Sequence, residues 1–148
     1  MLDHKSEIRL KFELIDGQPH QIKILFELLK ERKHKISHNV LPPFKKHERF
    51  VLNAPYRAWY LIHSDSLCLG SLYLNEDNSI GVNLKDESMG VISQCIDFIT
   101  SNHILREEIK SKVPPYFFIN VPFENKGFKK TMKELGYRPI QTTYLLEE

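Results

Sequence analysis

An α/β fold, built on one mixed sheet with helices on both faces, is what this sequence predicts. Amphipathic helical stripes near the N-terminus are followed by a run of closely spaced strands. Turn-forming residues join those strands into an antiparallel meander. Beyond the meander, helical and extended patterns alternate to residue 146. Such an order implies both antiparallel and parallel pairing within one layered domain.

Each element has its own warrant. Ile8 to Ile15 alternates, with Ile8, Leu10, Phe12 and Leu14 on one side and Arg9, Lys11 and Glu13 on the other, which is the pattern of a half-buried strand. Asp16-Gly17 supplies turn chemistry. Ile22, Leu25, Phe26 and Leu29 fall at helical spacing and predict a helix from Pro19 to about Lys33. A second helix is expected from Pro43 to Leu52, with Phe44, His47 and Val51 in line and Pro55 as its stop. Trp59–His63 and Leu67–Leu74 read as strands joined by Ser64-Asp65-Ser66. The turn Asn75 to Asn78 leads to a third strand, Ser79–Leu84. Ile92, Ile96 and Ile99 mark a helix from Met89 to about His103. After Pro114-Pro115, the apolar run Tyr116–Val121 reads as a buried strand. Phe128, Met132 and Leu135 mark a last helix, which Gly136 closes in the way a C-cap glycine does. Ile140–Leu146 is the expected final strand.

Composition narrows the function classes. The 148 residues suit a single domain over 1–148, and the irregular stretch from His34 to Pro43 is too short for a domain linker. Hydrophobic residues make up 41% and charged residues 27%, ordinary for a globular protein. A net charge of +2 argues against a nucleic-acid partner held through many phosphates. Without a long apolar run or a secretory leader, no membrane partner is expected and a cytoplasmic setting is the default. Cys68 and Cys95 sit among apolar neighbours without metal or redox spacing and read as small core residues. No histidine pair has helical spacing with an intervening acid. His34 and His38 are four apart but lie where the helical pattern dissolves, so no metal is expected.

The C-terminal third carries a sharper signal. Asn120-Val121-Pro122-Phe123-Glu124-Asn125, followed by Glu134-Leu135-Gly136-Tyr137, resembles a pattern of the GNAT superfamily. These are N-acetyltransferases that use acetyl-coenzyme A. The pattern is strand, Glu-Asn, helix, then Leu-Gly-aromatic, and the gap from Asn125 to Gly136 is the usual one. Leu69-Gly70 and Ile80-Gly81 also sit where the family often has glycines, and the element order fits over nearly the whole chain. The resemblance implies acetyl transfer from acetyl-CoA, as cosubstrate, to a primary amine on a small molecule or protein. It also implies that Ser79–Leu84 and Tyr116–Val121 run parallel and then splay. An amide-rich pantetheine arm would enter between Leu84 and Asn120 and replace the missing ladder. A backbone N–H near Asn83 and Leu84 would hold the thioester carbonyl. The pyrophosphate would lie on the N–H groups of Ser88, Met89 and Gly90, near Asn125.

The sequence also departs from the family. The glycine-rich cofactor loop is replaced by Lys85-Asp86-Glu87-Ser88-Met89-Gly90, and Asp86 and Glu87 would repel a pyrophosphate. Many relatives place a Tyr acid seven residues after the motif Asn, where Met132 stands here. Tyr116, Tyr137 and Tyr144 are the remaining types in the C-terminal third, and Tyr144 is expected on the last strand near the centre of the fold. Glu48 or His47 would accept the amine proton. Arg57 would grip an anionic acceptor, and Tyr56 or Trp59 would stack on it. Equally, Tyr56 and Trp59 read as core aromatics and Arg57 as an ion-pair partner. Lys126, Lys129, Lys130 and Lys133 form a basic helix face, solvated or turned toward cofactor phosphates. A non-catalytic GNAT-like binding module is the alternative reading.

Overall fold

The computed structural model describes residues 8–32 and 41–147. The stretch containing His34 and His38 lies outside these. The elements are β1 (Lys11–Leu14), α1 (Pro19–Lys30), α2 (Phe44–Leu52), β2 (Ala58–Ser64), β3 (Leu67–Leu74), β4 (Ser79–Leu84), α3 (Met89–Asn102), β5 (Phe118–Ile119) and α4 (Lys126–Glu134). They form a five-stranded sheet in the order β1-β2-β3-β4-β5. The first pairings are antiparallel, and β4 pairs β5 in parallel. The mixed sheet predicted from sequence is therefore present.

Strand parity decides which side chains meet which helices. Ile62, Leu72, Leu74 and Ile80 pack against Val91, Cys95 and Ile99 of α3. Ile92 and Ile96 turn toward Phe128 of α4. On the opposite face Trp59 and Leu61 meet Ile22, Leu25 and Leu28 of α1 and Val51 of α2. The expected α3 stripe of Ile92, Ile96 and Ile99 is buried, as is Phe128, while Met132 and Leu135 are half-buried. Cys95 is buried and Cys68 half-buried, both unpaired. α1 buries Gln21 and Leu28, whereas Phe26 and Leu29 of the expected stripe are half-buried.

Several polar side chains act as joints. Gln21 accepts from the N–H groups of Asp16 and Gln18 and donates to Glu13 and to the Leu14 carbonyl, which ties α1 to the end of β1. The Asn78 backbone adopts φ 73°, a left-handed conformation that asparagine tolerates. Its fully buried amide accepts from Arg106 N–H at 2.7 Å and donates to the carbonyls of Arg106 and Pro114 at 3.2 and 3.0 Å. Asn78 thereby clamps the α3–β5 connection, and its carbonyl accepts the Phe118 N–H that starts β5.

Two expectations need correction. β5 covers only Phe118–Ile119 of the predicted Tyr116–Val121. The final strand Ile140–Leu146 does not form: after Gly136, at φ 91°, residues 141–147 are exposed and unpaired with the sheet. Its extended, apolar composition is that of a strand, but no ladder within the described residues receives it.

Candidate functional site

The parallel pair is the feature on which the site turns. Pairing consists of Ser79 with Phe118 and Ile80 with Ile119, and stops there, while β4 runs on to Leu84. Beyond Ile80 the strands separate, as the resemblance implied.

Ladder geometry shows which groups are left facing the gap. At the two ends of the β3–β4 ladder, Lys85 N–H donates to the Leu69 carbonyl at 2.8 Å and Asn75 N–H to the Ser79 carbonyl at 2.9 Å. Backbone groups alternate between the two neighbours of a strand. Ser79, Gly81, Asn83 and Lys85 therefore bond toward β3, and Ile80, Val82 and Leu84 turn their amides toward β5. Past the splay, Val82 and Leu84 present N–H and C=O groups to the gap, and no strand among the described residues receives them. The expectation for Asn83 is thus corrected: its backbone faces β3. A methyl group on Gly70 would fall 2.0 Å from the Asn83 carbonyl oxygen, which shows how closely β3 and β4 approach there. Val82 takes the place given to Asn83, because the parity of the ladder is a matter of register.

The α3 N-terminus borders the same end of β4. Asp86 Oδ1 accepts the Ser88 N–H at 2.8 Å, so that donor is already used and Ser88 is no free anion ligand. The amides of Met89 and Gly90 open the helix, and a methyl on Gly90 would meet no atom within 4 Å. Asn125 is buried at the head of α4, where its Oδ1 accepts the Phe128 N–H at 3.1 Å. Its amide nitrogen donates to both oxygens of Glu87 at 3.0 Å. Asn125 therefore joins α4 to the α3 loop instead of offering itself to a cofactor. Asn120 is exposed just beyond β5, at the mouth of the gap.

The basic residues are partly committed as well. Lys85 pairs with Glu31 at 3.0 Å. Lys129 donates to the Phe123 carbonyl at 2.5 Å and lies over the Phe123 ring at 4.4 Å. Lys130 approaches Glu134 at 3.9 Å.

The other expected residues do not converge on the gap. Tyr56, Arg57 and Trp59 border a cleft of about 260 Å³ between the β1–α1 turn and the end of α2. That cleft lies at the β1 edge, separated from the gap by β2 and β3. Trp59 is buried and packs edge-on against Tyr56 and Phe50. Among the described residues, Trp59 Nε1 and Arg57 Nη1 are buried with no hydrogen-bond partner. His47 is buried, its ring bonded to the Ile22 carbonyl at 3.0 Å, and burial holds its pKa below the ordinary histidine value. It is a joint between α2 and α1. Glu48 is half-buried beside it on α2. Tyr144, expected near the centre of the fold, instead lies in the exposed segment off the sheet. Tyr116 and Tyr137 are exposed too. Among the described residues no cluster of His, Cys, Asp and Glu is suited to a metal ion.

One tyrosine that sequence reasoning passed over is better placed. Tyr73 on β3 lies opposite Gly81, and a methyl on Gly81 would fall 1.9 Å from Tyr73 Cζ and 2.3 Å from its hydroxyl. The phenol therefore lies across β4 where that strand parts from β5. It stacks on Tyr56 with centroids 4.2 Å apart. Burial raises its pKa above the ordinary tyrosine value, against a smaller opposing effect of Arg32, so it is a protonated donor at neutral pH. In sequence Tyr73 looks like any strand aromatic, and only the cross-strand glycine marks it out.

No protein-family model and no curated protein matches the sequence. Solved structures do match. An aminoglycoside N-acetyltransferase in complex with CoA is 13% identical at a TM-score of 0.63, with 99% of this chain and 99% of that one covered. A "possible acetyltransferase from Clostridium difficile 630" is also 13% identical, at a TM-score of 0.55, with 95% and 97% covered. At that identity the likeness concerns the fold: this chain has a GNAT-like fold.

Proposed function

We propose that this chain, with its GNAT-like fold, is an N-acetyltransferase, a single domain over 1–148 that moves the acetyl group of acetyl-CoA to a primary amine in the cytoplasm. The observation that carries the reading is the gap between β4 and β5, where the amides of Val82 and Leu84 have no strand partner among the described residues. The pantetheine arm offers amide groups of the kind such a gap needs. That a solved structure of this fold holds CoA supports the assignment.

The chemistry follows from the layout. The neutral amine attacks the thioester carbonyl, whose oxygen gains charge and is held by a backbone N–H of Val82 or Leu84. The amine loses a proton, which Glu48, standing on the α1–α2 face away from the gap, would take through intervening water. The leaving thiolate takes a proton, and Tyr73 supplies it in place of the helix tyrosine that Met132 replaces. The acceptor is held on the α1–α2 face, where Tyr56 stacks on Tyr73. Arg57 and Trp59 line the farther cleft and would contact only an acceptor long enough to reach it. The pyrophosphate rests on the Met89 and Gly90 amides, with Lys126 and Lys133 of the basic face nearby.

A second reading, a ligand-binding module without turnover, is favoured by one observation. The α3 loop is closed on itself, with Asp86 on the Ser88 N–H and Glu87 on Asn125. Calorimetric titration with CoA and a screen of amines with thiol detection separate the two. Turnover with any amine establishes the transferase. Binding without turnover favours the module, and no binding at millimolar CoA removes the transferase in favour of a non-catalytic module for another ligand or partner. Asp86 carries like charge beside the phosphates, at a cost of about 1 kcal/mol when solvent-screened. Asp86→Asn should therefore tighten CoA about fivefold. Glu87→Gln should matter less, since Asn125 already engages that carboxylate.

A further inference from the structure

The cleft at the β1 edge holds two donors that no other described residue answers. It measures about 260 Å³ and lies between the β1–α1 turn and the end of α2, with Arg57 and Trp59 in its lining. Among the described residues, Arg57 Nη1 and Trp59 Nε1 are buried with no acceptor, and no carboxylate pairs with the guanidinium. Buried donors are nearly always matched, so two unmet donors beside one cavity mark a place where an acceptor is missing. The backbone that carries them is fixed. Arg57 N–H donates to the Leu74 carbonyl and Ile15 N–H to the Trp59 carbonyl, both at 2.9 Å. Arg57 is only half-buried, so its guanidinium can turn to a ligand in the cleft.

The rest of the lining says what kind of acceptor fits. Leu14, Ile15, Val51, Leu52 and Ala54 make the walls apolar. The turn sits tightly on α2: a methyl on Gly17, at φ 92°, would fall 3.0 Å from Leu52 Cδ2. Guanidinium and indole N–H groups donate and do not accept, and a charged acceptor gains more from them than a neutral one. Asp16 also borders the cleft and is exposed, with Gln18 Nε2 donating to its carboxylate at 3.3 Å. Its charge disfavours a ligand with a second anionic group.

We propose that this cleft binds a small monocarboxylate with an apolar body. The carboxylate accepts from Arg57 and from Trp59 Nε1, and the body lies against Val51 and Leu52. Tyr56 closes the side toward Tyr73, on which it stacks. β2 and β3 separate the site from the β4–β5 gap, so binding needs neither CoA nor turnover and stands independently of the acetyltransferase reading.

Trp59 is the chain's only tryptophan, so its emission and its single indole N–H resonance report on the site directly. Titration of the full chain with hexanoate, at constant ionic strength and without CoA, should change the emission saturably and move the indole N–H resonance downfield. Hexanamide has the same shape without the charge and should bind about tenfold more weakly, and hexylamine should not bind. Arg57→Gln should weaken hexanoate by about tenfold or more, with Arg57→Lys in between. An indole resonance that hexanoate leaves unmoved overturns the proposal. So does equal binding of hexanamide, which would reduce the cleft to an apolar hole, and so does a folded Arg57→Gln protein that binds hexanoate as the wild type does. Binding seen only with CoA present also overturns it, since the cleft would then be the far end of the acceptor site. If Arg57→Gln fails to fold, the indole shift and the hexanamide comparison decide the matter on the wild type alone.

Discussion

Asn125 donates to both carboxylate oxygens of Glu87 at 3.0 Å while its own carbonyl caps α4 at Phe128 N–H. One buried side chain therefore holds the loop before α3 against the start of α4, on either side of the gap. Asn125→Ala leaves the Phe128 N–H without its cap and Glu87 without its partner, and should cost about 1–3 kcal/mol in a denaturant melt. Asn125→Asp keeps the cap but places two carboxylates together, and should recover little of the loss. Equal stability in all three proteins would mean that the joint contributes nothing.

Asn78→Ala is expected to be the more damaging change. It removes three hydrogen bonds from a fully buried site, leaving the Arg106 N–H and the Arg106 and Pro114 carbonyls unmatched. The expected loss is about 2–4 kcal/mol by thermal or chemical denaturation. Asn78→Gly, which suits the positive φ but restores no bond, should fare nearly as badly. If it is wild-type-like, backbone conformation and not the clamp is what matters at this turn.

Glu13 makes stability depend on acid pH. Its carboxyl is held down to about 2, against an ordinary 4.5, chiefly by the Gln21 amide, with His20 and His63 adding to the effect and slight burial opposing it. A lowered folded-state pKa stabilises the fold above the unfolded value and ceases to do so as the carboxylate protonates. The gap in stability between wild type and Glu13→Gln should be full above pH 4.5 and vanish as pH falls toward 2. Urea midpoints for both proteins across that range give the answer, and a gap independent of pH would contradict the assignment.

Tyr73→Phe removes the phenol hydroxyl and leaves the stack on Tyr56. If that hydroxyl protonates the thiolate, kcat should fall about a hundredfold while KM for acetyl-CoA changes little. Gly81→Ala should also disable the protein, through a clash with the Tyr73 ring, and Tyr73→Leu in the same chain should relieve the stability loss without restoring turnover. An unaltered kcat in Tyr73→Phe assigns the proton to another donor.

Ile96→Ala tests the contact between α3 and α4. Ile96 is buried with Ile92 and Phe128, and its truncation should cost about 2–5 kcal/mol through lost transfer energy and the cavity left behind. An unchanged midpoint would place this face of α3 away from the core.

Most of the secondary structure could be read from local pattern. The boundaries of β3 and β4 match the expected Leu67–Leu74 and Ser79–Leu84, and α3 starts at Met89 as its stripe predicts. These elements carry their own signals: alternation, helical spacing and turn residues between them. The parallel pairing of β4 and β5 was also expected, as what the resemblance to the GNAT superfamily implied. What the sequence by itself determined, then, is which segments are strands and helices and which face of each seeks the core. Tertiary structure decided everything that depends on register and on where a strand stops. Parity along β4 turned Val82 and not Asn83 toward the gap. The cross-strand position of Gly81 brought Tyr73 over it, and capping and buried pairing drew Asn125 to Glu87 and Phe128. Ile140–Leu146 has the composition of a strand yet found no ladder in its own sheet. Strand propensity is local, but a strand exists only where another backbone meets its donors and acceptors.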